Sequence, residues 1–145
     1  MMEVYESVNP ETTAKIASAF AKKLSSGDVV CMYGDLGAGK TEFVRSMASE
    51  FGIKDYITSP TFTIINEYKG DTDLYHFDVY RIADSDEMYE IGYDEYIDGD
   101  GICVIEWAEL IEDILPTGRY NITITKDYQK GENYRKIVIE NLKEK

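Results

Sequence analysis

The chain has 145 residues, with 43% hydrophobic and 30% charged side chains, values that exclude a disordered chain and suit one domain over residues 1–145. Its 28 acidic against 15 basic residues leave a net charge of −13, which argues against a broad nucleic-acid footprint, since clustered Lys and Arg supply most nonspecific affinity for phosphate backbones. The opening Met1-Met2-Glu3-Val4-Tyr5-Glu6 lacks the basic region and apolar core of a signal peptide, and no run approaches the roughly 20 apolar residues of a membrane helix, so a cytoplasmic protein is expected.

In chain order, Asn9 or Thr12 is placed to cap a helix whose apolar residues Ile16, Ala17, Phe20, Ala21 and Leu24 recur at helical spacing and which ends near Ser25-Ser26-Gly27. Asp28 leads into a strand, Val29 to Tyr33. Next comes Gly34-Asp35-Leu36-Gly37-Ala38-Gly39-Lys40-Thr41, which matches the G-x-x-x-x-G-K-T pattern of a P-loop and opens a second helix from Lys40 to about Phe51. The residue types explain the chemistry. The glycines let consecutive backbone N–H groups converge on phosphate oxygens, and the helix start adds partial positive charge. Lys40 reaches the β- and γ-phosphates, and the Thr41 hydroxyl ligates Mg²⁺.

Phe62 to Tyr68 and Leu74 to Tyr80 read as the arms of an antiparallel hairpin turned at Lys69-Gly70-Asp71. Asp84-Ser85-Asp86-Glu87 reads as a capping box, with Asp84 accepting from the Glu87 amide and Glu87 reaching back, before a short helix over Ser85 to Ile91. The acidic stretch Asp94 to Asp100 is a surface loop or short helix. Gly101 to Glu106 is an apolar run ending in a carboxylate, the pattern of a buried parallel strand whose tip reaches an active-site edge. A weak helix over Ala108 to Ile114 follows, and Tyr120 to Thr125 with Tyr134 to Ile139 form a closing hairpin around Gly131. The fold expected is α/β: a P-loop NTPase-like three-layer domain with a mixed, partly parallel central sheet and antiparallel hairpins.

Several residues are candidates for a second, acidic part of the site. Glu106 reads as a metal-contacting or water-orienting group, or as a solvated strand end. Asp78, on a largely apolar strand, is a metal or water ligand or a structural partner of Arg81. Thr61, after Ser59-Pro60, fits a γ-phosphate switch position as well as an ordinary turn. His76, the single histidine, reads as a hydrogen-bonded structural residue. Trp107 lines the nucleotide site or packs in the core. Cys31 and Cys103, inside apolar runs with no partner at metal spacing, read as core thiols, and no zinc site is expected.

Gly34 to Thr41, then Ser59-Pro60-Thr61-Phe62, then His76-Phe77-Asp78-Val79-Tyr80-Arg81, then Ile105-Glu106-Trp107, in this order, resemble the bacterial TsaE (YjeE) family, the ATPase component of tRNA threonylcarbamoyladenosine synthesis. The resemblance spans nearly the whole chain and is loose at Asp94 to Asp100 and in the closing hairpin. It implies ATP and Mg²⁺ at the P-loop and a role for Thr61, Asp78, Glu106 and Trp107. It also implies a threonine of the opening helix near the nucleotide, for which Thr13 fits the spacing better than Thr12. The implied partners are a threonylcarbamoyl transferase subunit and its inactive paralogue, whose turnover the ATPase supports, with tRNA contacted indirectly.

Rival readings remain. A GTPase lacks its guanine-reading motif, because Thr125-Lys126-Asp127-Tyr128 has no final Asp. A small-molecule kinase shares the P-loop, but its lid usually gathers several Arg, and the four here are scattered, with Arg81 at most a cis substitute for an arginine finger. A non-catalytic nucleotide-binding adaptor would need Lys40 and Thr41 but neither Asp78 nor Glu106.

Overall fold

A computed structural model describes residues 2–35, 37–60 and 63–143. In chain order the elements are β1 (Met2–Ser7), α1 (Pro10–Ala21), β2 (Val29–Tyr33), α2 (Lys40–Glu50), β3 (Ile65–Tyr68), β4 (Leu74–Asp78), α3 (Asp86–Glu90), α4 (Tyr93–Ile97), β5 (Ile102–Glu106), β6 (Tyr120–Lys126) and β7 (Arg135–Asn141). Between β5 and β6 the segment Ala108–Ile114 is 3-10 rather than α-helical, and Ile111 leaves helical geometry altogether.

The strands form one seven-stranded sheet in the order β1-β7-β6-β2-β5-β4-β3. Its centre is parallel, with β2 between β5 and β6, and β4 beside β5. Both flanks are antiparallel: β3 on β4, β7 on β6, and β1 on β7. The expected mixed, partly parallel sheet with antiparallel hairpins is therefore present. A flanking strand, β1, joins it where the sequence reading placed none, because its exposed Met2, Glu6 and Val4 give no clean apolar alternation.

The sheet is covered on both faces, which is why every residue of β5 is buried and the strand reads as a continuous apolar run. Alternation along the strands sends Val30, Met32, Ile102 and Val104 to the face under α1 and α2, where Phe20, Phe43, Val44 and Met47 meet them. Val29, Cys31, Cys103 and Ile105 point to the other face, under Met88, Tyr93 and Ile111. Phe20 and Phe43 pack across α1 and α2 with ring centroids 6.5 Å apart.

Local signals account for most boundaries. The Asn9 side chain caps α1 by accepting from the Thr12 amide at 2.7 Å, and Pro10 occupies the first turn. Near α3 the expected capping box is corrected in part. The Glu87 carboxylate does reach back, accepting from the Ala83 and Asp84 amides, but the Asp84 side chain accepts from the Asp86 amide, not that of Glu87. Asp84 thereby closes a tight Asx turn two residues on. The helix is one turn, Asp86–Glu90. Of the expected first hairpin arm, Phe62 lies outside the described residues, and β3 runs from Ile65, after Ile64 takes a left-handed φ of 69° that a strand does not tolerate.

Candidate active site

The site grows from the parallel centre of the sheet. β2 ends at Tyr33 and the chain turns through the P-loop into α2. Gly34 is required there twice over: its φ is +143°, and a Cβ would collide with the Ile124 carbonyl oxygen of neighbouring β6. Gly39 precedes the helix in left-handed geometry, φ 103° and ψ 19°, so α2 starts without a side-chain cap and its first amides remain available to an anion.

Lys40, 5% exposed, donates to the Gly34 carbonyl and places its ammonium 3.5 Å from the centroid of the Trp107 ring. Desolvation lowers its pKa, while the carboxylates of Glu106, Glu109, Asp78 and Asp35 pull it back up. Trp107 is held under that ammonium by a left-handed backbone, φ 63°, directly after β5, and its ring packs on Tyr80 with centroids 4.7 Å apart. A non-glycine residue strained at this place marks a position the surroundings enforce.

The acidic candidates converge on the same edge. Parallel pairing sets Asp78 of β4 opposite Glu106 of β5. Glu106, 3% exposed, accepts from the Thr41 hydroxyl through Oε2 at 3.0 Å, with Oε1 at 3.4 Å. Asp78 accepts from the Ser59 hydroxyl at 2.8 Å and from the Tyr80 amide at 3.0 Å. His76, two residues before Asp78 on the same face of β4, is fully buried with Nε2 2.5 Å from Glu106 Oε2. It is hydrogen-bonded, as a structural histidine would be, but its partner is the central carboxylate.

Two cavities flank the P-loop and share Gly39 and Glu42 in their walls. One, of about 370 Å³, is lined by Lys40, Thr41, Ser59, Asp78, Glu106 and Trp107. The other, of about 530 Å³, lies toward α1 and the β6–β7 hairpin and is lined by Thr13, Ala38, Ser46, Asn133 and Arg135 among others. Thr13 donates to the Ser7 hydroxyl at 2.8 Å, so β1 helps to fix it. Asp35 is exposed, its carbonyl accepting from the Ala38 amide at 3.0 Å. Leu36 and Thr61, both candidates by sequence, lie outside the described residues.

The sequence reading missed the closing hairpin's contribution. Arg135 at the start of β7 donates from Nε to the Ala38 carbonyl at 2.8 Å, and Lys126 at the end of β6 brings its ammonium within 3.4 Å of where a Cβ on Gly37 would stand. The turn containing Gly131 was the only available signal, and it spoke of a hairpin, not of where the hairpin docks.

The donor set fits a hard divalent cation. Adjacent corners of an octahedron with bonds of about 2.1 Å lie about 3 Å apart, and the Thr41 hydroxyl and Glu106 carboxylate oxygens are 3.0 Å apart. Among the described residues no three His, Cys, Asp or Glu side chains gather to hold a metal by themselves. A cation here would rest on Thr41 with Glu106 or Asp78 and share the rest of its shell with phosphate oxygens and water. Cys31 and Cys103 are buried and take no part, burial pushing both thiols up to about 12.

Residues 7–137 match the family model described as "Threonylcarbamoyl adenosine biosynthesis protein TsaE". The chain is 48% identical over 137 residues to the tRNA threonylcarbamoyladenosine biosynthesis protein TsaE of Bacillus subtilis, covering 92% of this chain and 82% of that one. It is 44% identical to the TsaE protein of Treponema pallidum, covering 79% and 84%. The crystal structure of Bacillus subtilis YdiB superposes with a TM-score of 0.79 at 41% identity, covering 98% of this chain and 86% of that one. With its P-loop, strand-tip carboxylates and these matches over nearly its whole length, the chain belongs to the TsaE family.

Proposed function

We propose that the protein is a Mg²⁺-dependent ATPase acting in tRNA threonylcarbamoyladenosine biosynthesis, the process for which its relatives are named. One observation carries the ATPase reading: the Glu106 carboxylate at the tip of β5 stands 3.0 Å from the hydroxyl of Thr41, the last residue of the P-loop motif. A strand-end carboxylate beside the P-loop Thr is the arrangement that holds a metal and orients water in P-loop hydrolases.

The triphosphate lies along the loop between the two cavities. The nucleoside occupies the larger one, beside Thr13, and the γ-phosphate the smaller, beside Glu106, Asp78 and Ser59. Lys40 exchanges the Gly34 carbonyl and the Trp107 face for the β- and γ-phosphates. The loop amides and the start of α2 stabilise the charge that builds on the oxygens during in-line attack by water. Glu106 and Asp78 orient that water or hold the cation, which when bound neutralises phosphate charge.

Among the described residues no arginine other than Arg135 lines either cavity. Slow turnover alone and acceleration by partners are therefore the expectation, the partners being a threonylcarbamoyl transferase subunit and its inactive paralogue, with tRNA met through them.

The test is phosphate release from ATP with and without Mg²⁺, by the protein and its Glu106→Gln variant. The reading requires Mg²⁺-dependent release by the protein, and unchanged ATP binding with turnover reduced at least about 100-fold in the variant. A variant that hydrolyses normally overturns the assignment of Glu106. A phosphorylated metabolite in place of free phosphate makes the protein a kinase.

A further inference from the structure

We propose that Arg135 is a positioning residue for the P-loop: its guanidinium holds the Ala38 carbonyl toward the β6–β7 hairpin and so keeps the Gly39 amide turned toward the phosphates. That orientation matters only if the loop takes a triphosphate, as the ATPase reading above has it.

Gly39 stands in left-handed geometry, φ 103°, and has no side chain, so the peptide joining it to Ala38 can turn over at little cost. None of the described peptide bonds is cis, and in a trans peptide the carbonyl of one residue and the amide of the next point to opposite sides. Turning the Ala38 carbonyl away from the hairpin would therefore bring the Gly39 amide toward it. A partner outside the loop selects between the two. Arg135 Nε donates to the Ala38 carbonyl at 2.8 Å, and Ala38 is 1% exposed, so a flipped peptide forfeits a charge-assisted hydrogen bond in a place hardly open to water.

The guanidinium is itself held. Its Nη1 donates to the Tyr134 carbonyl at 2.8 Å and to the Glu132 carbonyl at 3.1 Å. The Arg135 backbone is paired on both sides, with Lys126 of β6 and Ser7 of β1. The neighbouring Tyr134 is buried and donates its hydroxyl to Glu6 of β1 at 2.6 Å. One planar fork thus fastens a peptide of the loop to the hairpin strands. Lysine keeps the charge but not the fork, because its chain carries a methylene where Nε stands in arginine.

That difference separates an oriented donor from charge alone. Affinity for inorganic triphosphate with Mg²⁺, and for a non-hydrolysable ATP analogue with Mg²⁺, is measured by titration calorimetry in the protein, in Arg135→Lys and in Arg135→Met. Both variants are expected to bind both ligands at least about tenfold more weakly, the worth of one charge-assisted hydrogen bond. Full affinity in Arg135→Lys means that charge alone serves and overturns the positioning role. A loss confined to the ATP analogue overturns it too, since Arg135 then acts on the nucleoside and not on the loop. In ¹⁵N,¹³C spectra of the unmodified protein with the analogue bound, a scalar coupling is expected across the hydrogen bond from Arg135 Nε to the Ala38 carbonyl carbon. The Gly39 amide proton is expected to move downfield on adding the analogue, and to lose that shift in Arg135→Met. A missing coupling or an unmoved Gly39 amide in the unmodified protein overturns the inference whether or not the variants fold. If the protein binds both ligands and the variants bind them equally well, the positioning role fails and the ATPase reading stands. If the protein binds neither ligand, both fall.

Discussion

Lys40 is the residue on which the proposed ATP binding turns. It is kept charged in a buried place by a carbonyl and an aromatic face, weak substitutes for water, and burial lowers its pKa accordingly. Lys40→Ala is expected to weaken ATP binding at least about tenfold, the worth of one charge-assisted hydrogen bond, as read by titration calorimetry. The two cysteines are buried as well, in the apolar cluster on the other face of the sheet. Folded, their thiols stay neutral up to about 12, against an ordinary value of 9.0. A group whose folded pKa is raised contributes stability that is complete below the unfolded pKa and is lost as pH rises toward the folded one. Unfolding free energy is therefore expected to decline above about pH 9, and a Cys31→Ala/Cys103→Ala variant to lose part of that slope in denaturant titrations. At pH 8 neither thiol should react with a disulfide reagent until the chain is unfolded.

At the scale of elements, α2 ties the loop to the core. Phe43 is fully buried and meets Phe20 of α1, so Phe43→Ala is expected to cost about 3–5 kcal/mol of stability by chemical denaturation. β1 works at one remove: it pairs with β7 along its whole length and its Ser7 receives the Thr13 hydroxyl. Ser7→Ala is expected to leave the fold in place and weaken ATP binding a few-fold if Thr13 contacts the nucleotide; unchanged affinity would separate Thr13 from the site. The helix and strand positions around the P-loop were readable because a buried parallel strand and an amphipathic helix each leave a periodic trace. The 3-10 character of Ala108–Ile114 was not, since the left-handed Trp107 that starts it answers to packing under Lys40 and not to local propensity.

For the whole molecule, the parallel centre of the sheet puts the ends of β2, β4 and β5 at one edge, and the site gathers there. Both flanks add antiparallel strands, and the β6–β7 side brings Arg135 to the P-loop. Among the described residues no helix is long and apolar enough to cross a membrane. If hydrolysis is gated by partners, adding the transferase subunit and its paralogue should raise turnover at least about tenfold, in the range that completing a charge-stabilising constellation supplies. Turnover that is indifferent to the pair would defeat that model.

The residues proposed to meet phosphate were legible by themselves. Gly34, Gly39, Lys40 and Thr41 work through backbone freedom and a short-range motif, and a motif of eight consecutive residues carries its own geometry. Glu106 was legible as a strand-end carboxylate, and the fold class followed from alternating apolar runs and helical stripes. Other facts are products of register, and register is a long-range property. Only the pairing of β4 with β5 decides that Asp78 stands opposite Glu106 and that His76, 30 residues away in sequence, closes on its carboxylate. Only the docking of β7 decides that Arg135 reaches the P-loop carbonyl at Ala38, 97 residues back. Local chemistry specified the loop proposed to receive a triphosphate, and the packed sheet decided which distant side chains surround it.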